Sequence, residues 1–186
     1  MYTDAKMQLK ESLLRHILRR HPDHFNLTIS PDGWVNTQSL LHNVQSFGYT
    51  LTMNDIQEIM KETVTEYSFN NDRSLIRANY GHSLQLKLED IVGLPSKPDG
   101  NLYHGTTDLL ARKILKYGLL PQTRDHVFLT SDPVKADEYG KRHGNSVTLE
   151  IDSKLCIKNK CMLFHPCSHI WLAYYIPPEC IHYFST

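Results

Sequence analysis

The stretch "EYSFNNDRSLIRANYGHS", residues 66–83, decides the fold of the first half of the chain. Aromatic and aliphatic residues on its two sides flank Asn70-Asn71-Asp72, a composition typical of a turn. The stretch therefore predicts a β-hairpin. Arg77 and His82 lie on either side of a glycine where the second strand of this hairpin is expected to end, so the hairpin also carries polar side chains.

Three helices are predicted before the hairpin. The first runs from about residue 5 to residue 21 and ends before Pro22, because the residue that precedes a proline avoids the helical region. The second covers residues 36–48, and Thr52 caps the third. Three helices followed by a β-hairpin is the order of elements in a winged helix, so we predict a winged-helix lobe over residues 1–92.

The second half of the chain is predicted to be a separate α+β lobe over residues 100–186, joined by a proline- and glycine-rich linker at residues 93–99. Near the end of the first lobe, "LQLKLED", residues 84–90, alternates strictly, as a strand does. Beyond the linker, strands are predicted at "NLYH", "HVFLT", "SVTLEI", "CMLF" and "IWLAYYI". Helices are predicted at "TDLLARKILKYG" and "PVKADEYGKRHG".

Charge and hydropathy exclude several classes of protein. The chain has 186 residues, with 20 basic and 20 acidic side chains. This balance argues against a protein that coats nucleic acid non-specifically, although it leaves room for a local basic pocket. No apolar run reaches the length of a membrane span, and the N-terminus lacks the apolar core of a signal peptide. We therefore expect a cytoplasmic protein without a membrane partner, and a monomer.

Cysteine usage indicates free thiols rather than disulfides. All four cysteines fall in the last third of the chain, without a C-x-x-C pair. The stretch "CMLFHPCSH" places Cys161, His165, Cys167 and His169 at alternating positions, so a zinc site on one face of a strand is an alternative. The spacing is unlike that of paired zinc ligands, and we favour buried thiols and strand histidines without a metal.

Arginine and histidine recur at the ends of predicted elements. They occur in "SLLRHILRRHP" (residues 12–22), in "YHGTT" (residues 103–107), where Gly105 permits close approach by a ligand, and in "RDHVFLTSD" (residues 124–132). Taken singly, each arginine is more often a solvated charge or part of a surface ion pair, and each histidine more often a hydrogen-bonded residue without a catalytic role. The chain has no phosphate loop ending in Gly-Lys-Ser/Thr and no His-Glu-x-x-His. Because arginine and histidine suit phosphate oxygens, the residues indicate phosphate chemistry in which the substrate supplies its own nucleophile.

Taken together and in order, these motifs resemble a known family. Leu14-Arg15-His16, "DGWV", "IRANYGHS", "LYHGT", "RDHVFL" and the closing apolar strand resemble the NAD-dependent RNA 2′-phosphotransferases, the tRNA 2′-phosphotransferases, from about residue 8 to residue 180. The resemblance implies a winged-helix lobe followed by an ADP-ribosyltransferase-like lobe with antiparallel sheets. It implies that an internal 2′-phosphate of RNA is transferred to NAD through an ADP-ribosylated RNA phosphate, giving ADP-ribose 1″,2″-cyclic phosphate, with no metal.

The resemblance also implies roles for individual residues. The implied catalytic set is Arg15, His16, Arg77 and Arg124. The implied NAD-binding residues are His104, Gly105, Thr106, His126 and Arg142. The implied RNA-binding residues are Gly81, His82 and Ser83.

The chain departs from the family pattern at three places. Tyr80 stands where the family has glutamine, Phe128 replaces a histidine, and Ser168-His169 replaces Asn-Gly, so these positions bear on the NAD pocket. Arg19 and Arg20 lie outside the motif and are expected to be solvated or to contact the RNA backbone.

Two other functions remain open at this stage. One is an ADP-ribosyltransferase that modifies terminal phosphates of nucleic acid and stops at the first step. The other is a non-catalytic winged-helix protein that binds nucleic acid. The third helix argues against DNA recognition, because it holds one lysine among several acidic residues.

Overall fold

The computed structural model describes residues 5–63 and 65–185. The chain divides into two compact units, Met1–Ile91 and Val92–Thr186. Each unit combines helices with one antiparallel sheet, so the α+β class expected from the sequence is confirmed. None of the helices in the described part of the chain is long and apolar enough to cross a bilayer.

The described part of the first unit contains four α-helices and one short 3₁₀ turn. They are α1 (Ala5–Arg19), α2 (Thr37–Ser46), α3 (Met53–Glu62) and the short α4 (Leu88–Ile91), with a 3₁₀ turn at Asp23–Phe25. The first three confirm the predicted helices, although α1 ends two residues before the expected position. Thr52 caps α3 in a reciprocal capping box: its side chain accepts from the backbone N–H of Asp55, whose carboxylate accepts from the Thr52 N–H.

The sheet of the first unit has three strands. They are β1 (Val35–Asn36), β2 (Tyr67–Phe69) and β3 (Leu75–Ala78), in the order β1-β3-β2. β2 and β3 pair antiparallel and confirm the predicted hairpin. The sheet and the helices share one apolar core, in which Leu14, Ile17 and Ile76 are fully buried.

The strand suggested by "LQLKLED" is wrong. Residues 84–87 form no regular structure, and Leu88–Ile91 is helical. Gln85 has φ +54°, a left-handed conformation that interrupts an extended chain. Leu88 is nevertheless fully buried, so the alternation reflects packing of leucines without strand geometry.

The second unit is built on a six-stranded antiparallel sheet. Its strands are β4 (Leu102–Thr107), β5 (Val127–Thr130), β6 (Ser146–Ile151), β7 (Leu163–Cys167), β8 (Ile170–Ala173) and β9 (Ile181–Tyr183). The strand order is β7-β8-β5-β4-β6-β9. Its helices are α5 (Asp108–Tyr117), α6 (Pro133–Lys141) and α7 (Ser153–Lys158). Neither α7 nor β9 is predicted by the sequence patterns.

Helix α6 packs unusually close to the central strand β4. A Cβ atom built on Gly105 would lie 1.6 Å from the carbonyl oxygen of Ala136 and 2.8 Å from the backbone nitrogen of Gly140. A Cβ on Gly140 would in turn lie 2.2 Å from the hydroxyl of Ser146. The two glycines therefore allow the helix and the strand to meet backbone to backbone.

The cysteine-rich region is stabilised without a disulfide. All four cysteines are free thiols, as expected. The pairing of β7 with β8 shifts register between Phe164 and Cys167, which breaks the strict alternation that the zinc alternative requires. His165 stacks on Trp171, with ring centroids 4.4 Å apart.

Candidate functional site

Arg77 lies against the turn that precedes β1. Its Nη1 donates to the carbonyl oxygen of Asp32 at 3.1 Å, and its Cζ is 4.5 Å from the centroid of the Trp34 ring. Its Nε is buried and has no hydrogen-bond partner in the part of the chain that the structure describes. Burial lowers the pKa of Arg77, which the carboxylate of Asp32 partly offsets, and a guanidinium still stays charged at neutral pH. The guanidinium of Arg77 is therefore a half-buried cation whose Nε–H can still donate a hydrogen bond.

The segment Gly81–Ser83 lies beside the same turn. Gly81 has φ +81°, and His82 is buried, with its Nε2 3.6 Å from the point where a Cβ on Gly33 would lie. The backbone N–H of Ser83 donates to the carbonyl of Arg19 at 2.8 Å. Arg77 and the Gly81–Ser83 segment, predicted from separate parts of one motif, therefore both border the turn around Gly33.

Arg19 also belongs to this cluster, so the expectation from the sequence that it is solvated is wrong. Its side chain is buried, and its Nη1 lies 3.3 Å from the point where a Cβ on Gly81 would be. It pairs with Glu66 at 2.6 Å, and its Cζ lies 5.4 Å from the ring centroid of Tyr67 and 5.0 Å from that of Tyr80. The sequence does hold a signal, because the Leu-Arg pair at residues 14–15 is repeated one helical turn later at residues 18–19.

Arg15 and His16 have different neighbours. Arg15 forms an ion pair with Glu11. Burial lowers the pKa of Arg15, but Glu11, Tyr67 and Glu66 together raise it by more, and the net pKa is raised. The ring of His16 lies 5.0 Å from that of His21, and burial, followed by the neighbouring imidazoles, lowers its pKa. Consecutive helical residues point about 100° apart, so α1 directs these two side chains to different surroundings.

A pocket of about 430 Å³ in the second unit gathers most of the residues predicted there. Predicted residues that line it are His104, Gly105, Thr106, Arg124 and His126. His143 and Gln122 also line it and were not predicted. The first three belong to β4 and the last two precede β5; since β4 and β5 are neighbours in the sheet, two distant stretches of sequence meet here.

His104 is held in one tautomer. Its Nδ1 lies 2.9 Å from the carbonyl oxygen of Phe128, which can only accept, so Nδ1 carries the proton and Nε2 is left as an acceptor. Burial lowers the pKa of His104, and the hydrogen bond to Phe128 offsets this only in part. The pocket therefore presents a neutral imidazole at neutral pH.

The packing of α6 on β4 explains why residue 105 is a glycine. The sequence suggested that this glycine lets a ligand approach the backbone. The space that a side chain would need is instead filled by the backbone of Ala136 and Gly140. Thr106, the next residue, is buried.

An arginine and aromatic cluster borders the pocket. The Cζ of Arg124 lies 4.9 Å from the centroid of the Phe128 ring, which meets the ring of Tyr139 edge-on at 6.2 Å. The Cζ of Arg142 lies 5.0 Å from the same Tyr139 ring, whose hydroxyl is 3.1 Å from Nε2 of His169. Phe128 and His169, two of the departures from the family pattern, are thus joined through Tyr139.

Comparisons with known proteins agree over nearly the whole chain. Residues 7–174 match the model of the family described as "RNA 2'-phosphotransferase, Tpt1 / KptA family". A protein of Hahella chejuensis named "Probable RNA 2'-phosphotransferase" is 29% identical over 184 residues, covering 98% of this chain and 97% of its own length. Proteins with the same name from Fusobacterium nucleatum and Thermococcus kodakarensis are 32% and 30% identical over 169 and 171 residues. These two alignments cover 89% and 91% of this chain and 92% of each relative.

Proposed function

The chain belongs to the RNA 2′-phosphotransferase, Tpt1/KptA family, and from this premise we propose that it removes an internal 2′-phosphate from RNA by transferring it to NAD. The observation that carries the proposal is the extent of the family match, which runs through both units. The pocket of the second unit supports it, because it presents arginine and histidine side chains and is of the size that binds small ligands.

The proposed reaction has two steps. In the first, an oxygen of the RNA 2′-phosphate bonds to C1″ of the nicotinamide ribose, and the electron pair of the breaking C1″–N bond leaves with nicotinamide. In the second, the ribose O2″ attacks the same phosphorus and gives up its hydroxyl proton. The bond from phosphorus to the RNA 2′-oxygen breaks, and that oxygen takes up a proton as it leaves. The products are 2′-OH RNA, nicotinamide and ADP-ribose 1″,2″-cyclic phosphate.

The first unit, which we propose to be a winged-helix lobe, binds the RNA phosphate. Arg77 has a buried Nε beside the Gly33 turn, and the imidazole of His82 in the Gly81–Ser83 segment borders the same turn. We keep Arg15 and His16 in this set from the resemblance. Contact with Gly81 adds Arg19 to the proposed set.

The second unit, which we propose to be the ADP-ribosyltransferase-like lobe, binds NAD. The neutral Nε2 of His104 offers an acceptor, and Thr106 lines the same pocket. Arg124 stacks over Phe128 at the pocket wall, where its charge suits the pyrophosphate. His126 lines the pocket, and Arg142 joins the cluster through Tyr139.

The chemistry explains why arginines suffice. A phosphate dianion is already a nucleophile, so the first step needs no general base. In the second step, negative charge builds on the non-bridging oxygens of phosphorus, and one aligned donor there stabilises the transition state by about 3–4 kcal/mol. We assign that contact to Arg77.

The proposed substrate is a tRNA that carries a 2′-phosphate at a splice junction. We propose that the protein acts on it in the cytoplasm as a monomer, without a membrane partner.

One experiment tests the proposal directly. The purified chain is incubated with an oligoribonucleotide that carries one internal 2′-phosphate, with and without NAD. The masses of the products are then measured by mass spectrometry. We expect 2′-OH RNA and the cyclic phosphate of ADP-ribose only when NAD is present. An oligonucleotide with a terminal phosphate is the matched control. A stable ADP-ribosyl adduct on that control, with the internal phosphate untouched, would contradict the proposal and favour the ADP-ribosyltransferase alternative.

A further inference from the structure

Three side chains that can bind a metal ion converge just after α1. One ligand atom each from His21, Asp23 and His24 lies within 4.8 Å of the other two. The two imidazole rings are stacked, with centroids 4.4 Å apart and an angle of 10° between their planes. Each ring also places a nitrogen 4.0 Å from a carboxylate oxygen of Asp23. Asp23 and His24 are exposed and His21 is partly exposed, so an ion can reach them from solvent.

The backbone that carries these side chains is fixed on both sides. Pro22 starts the 3₁₀ turn with φ −61°, and its carbonyl accepts from the backbone N–H groups of Phe25 and Leu27, each at 3.0 Å. Phe25 is buried in the core of the unit. Asn43 on α2 donates its side-chain amide to the carbonyls of Phe25 and Asn26 at 2.8 and 3.2 Å.

We propose that His21, Asp23 and His24 form a binding site for a divalent transition-metal ion such as Ni²⁺ or Zn²⁺. Two imidazole nitrogens and one carboxylate oxygen are ligands that these ions bind at about 2.0–2.2 Å, whereas Mg²⁺ and Ca²⁺ require mainly oxygen. Because the turn is already held in place, binding requires only small side-chain rotations, and little conformational freedom is lost. Three protein ligands leave the remaining coordination positions to water.

The surroundings place this site beside the helix that carries His16. The ring of His16 lies 5.0 Å from that of His21, and Arg20 lies close enough to lower the pKa of His16. The positive charge of Arg20 disfavours binding of a cation, and the negative charge of the Asp23 carboxylate offsets this effect. None of the three ligand residues belongs to the set that we propose for the transfer reaction, and metal binding can be measured without measuring activity.

The test is a calorimetric titration of the full, chelator-treated chain with NiCl₂. We expect one ion per chain in the wild type. Replacing either imidazole, in His21→Ala or His24→Ala, should weaken binding at least about tenfold, since even partners behind the ligands commonly change metal affinity by about 10–100-fold. His182→Ala is the matched control, because His182 is an exposed histidine on β9 of the other unit, and it should bind Ni²⁺ as the wild type does.

Three results would overturn the proposal. One is the absence of one-to-one binding by the wild type. Another is unchanged affinity in both His21→Ala and His24→Ala. The third is an intense sulfur-to-nickel charge-transfer band, which would identify cysteine thiolates as the ligands. Circular dichroism checks the folding of each variant. If a histidine variant fails to fold, Asp23→Asn is titrated in its place and is expected to bind Ni²⁺ more weakly than the wild type.

Discussion

Replacing Gly105 with alanine separates two explanations for a glycine in the proposed NAD pocket. The added Cβ would lie 1.6 Å from the carbonyl oxygen of Ala136 and 2.6 Å from its carbonyl carbon. Ordinary contact begins near 3.4 Å. Because the opposing atoms are backbone, no side-chain rotation relieves the overlap, and α6 must retreat from β4 by about 2 Å.

The expected cost follows from this displacement. Overpacking a core commonly costs about 1–3 kcal/mol, and here the retreat also removes contacts of Ala136, which is fully buried. We therefore expect Gly105→Ala to lower the free energy of unfolding of the second unit by about 3 kcal/mol or more. Gly100→Ala is the matched control, because a Cβ there has no atom within 4 Å. It should change stability by less than about 0.5 kcal/mol.

Urea unfolding followed by tryptophan fluorescence measures both variants. The chain has two tryptophans, one in each unit, so a Trp34→Phe background leaves Trp171 as the reporter of the second unit. The reasoning is refuted if Gly105→Ala unfolds at the same urea concentration as Gly100→Ala. If NAD affinity falls in that same variant, the glycine serves ligand approach, as the sequence alone suggested.

Four further predictions concern the proposed site residues and the proposed reaction. Arg77→Ala should slow the second step more than the first, because the activation free energy of the second step should rise by about 3–4 kcal/mol. ADP-ribosylated RNA should therefore accumulate in a single-turnover time course. Unreacted substrate with no intermediate would contradict this assignment. His104→Ala should weaken NAD binding and leave RNA affinity nearly unchanged, and an equal loss of both would argue against separate roles for the two units. Burial lowers the pKa of His104 from 6.5, so on acidification this histidine takes up its proton in the unfolded chain before it does so in the folded chain. His104 should therefore reduce the free energy of unfolding only as the pH falls below about 6.5. Because its imidazole stays neutral above that pH, NAD affinity measured by fluorescence titration should be constant from pH 8 to 6.5. EDTA should leave turnover intact in a mass-spectrometric product assay, and loss of turnover restored by a divalent ion would contradict the proposed chemistry.

Local patterns were sufficient for most of the secondary structure. The Asn-Asn-Asp turn at residues 70–72 predicted the hairpin, and the Thr52 capping box marked the start of α3, because turns and caps depend on residues only a few positions apart. Helix α7 and strand β9 escaped prediction since they have only six and three residues, too few to show a period. The alternation of residues 84–90 misled for the opposite reason: a burial pattern was present without a neighbouring strand to pair with it.

Some of the candidate residues could be predicted from short motifs, and others depend on contacts between distant segments. The motifs in "YHGTT" and "RDHVFL" predicted the residues of the pocket, and the antiparallel pairing of β4 with β5 is what brings them together. By contrast, the sequence favoured Arg15, whereas packing brings Arg19 to Gly81, 62 positions along the chain. The reason for Gly105 likewise depends on α6. Residue type and short spacing determine what chemistry a side chain can perform, but its neighbours depend on contacts between distant segments, which only the folded chain decides.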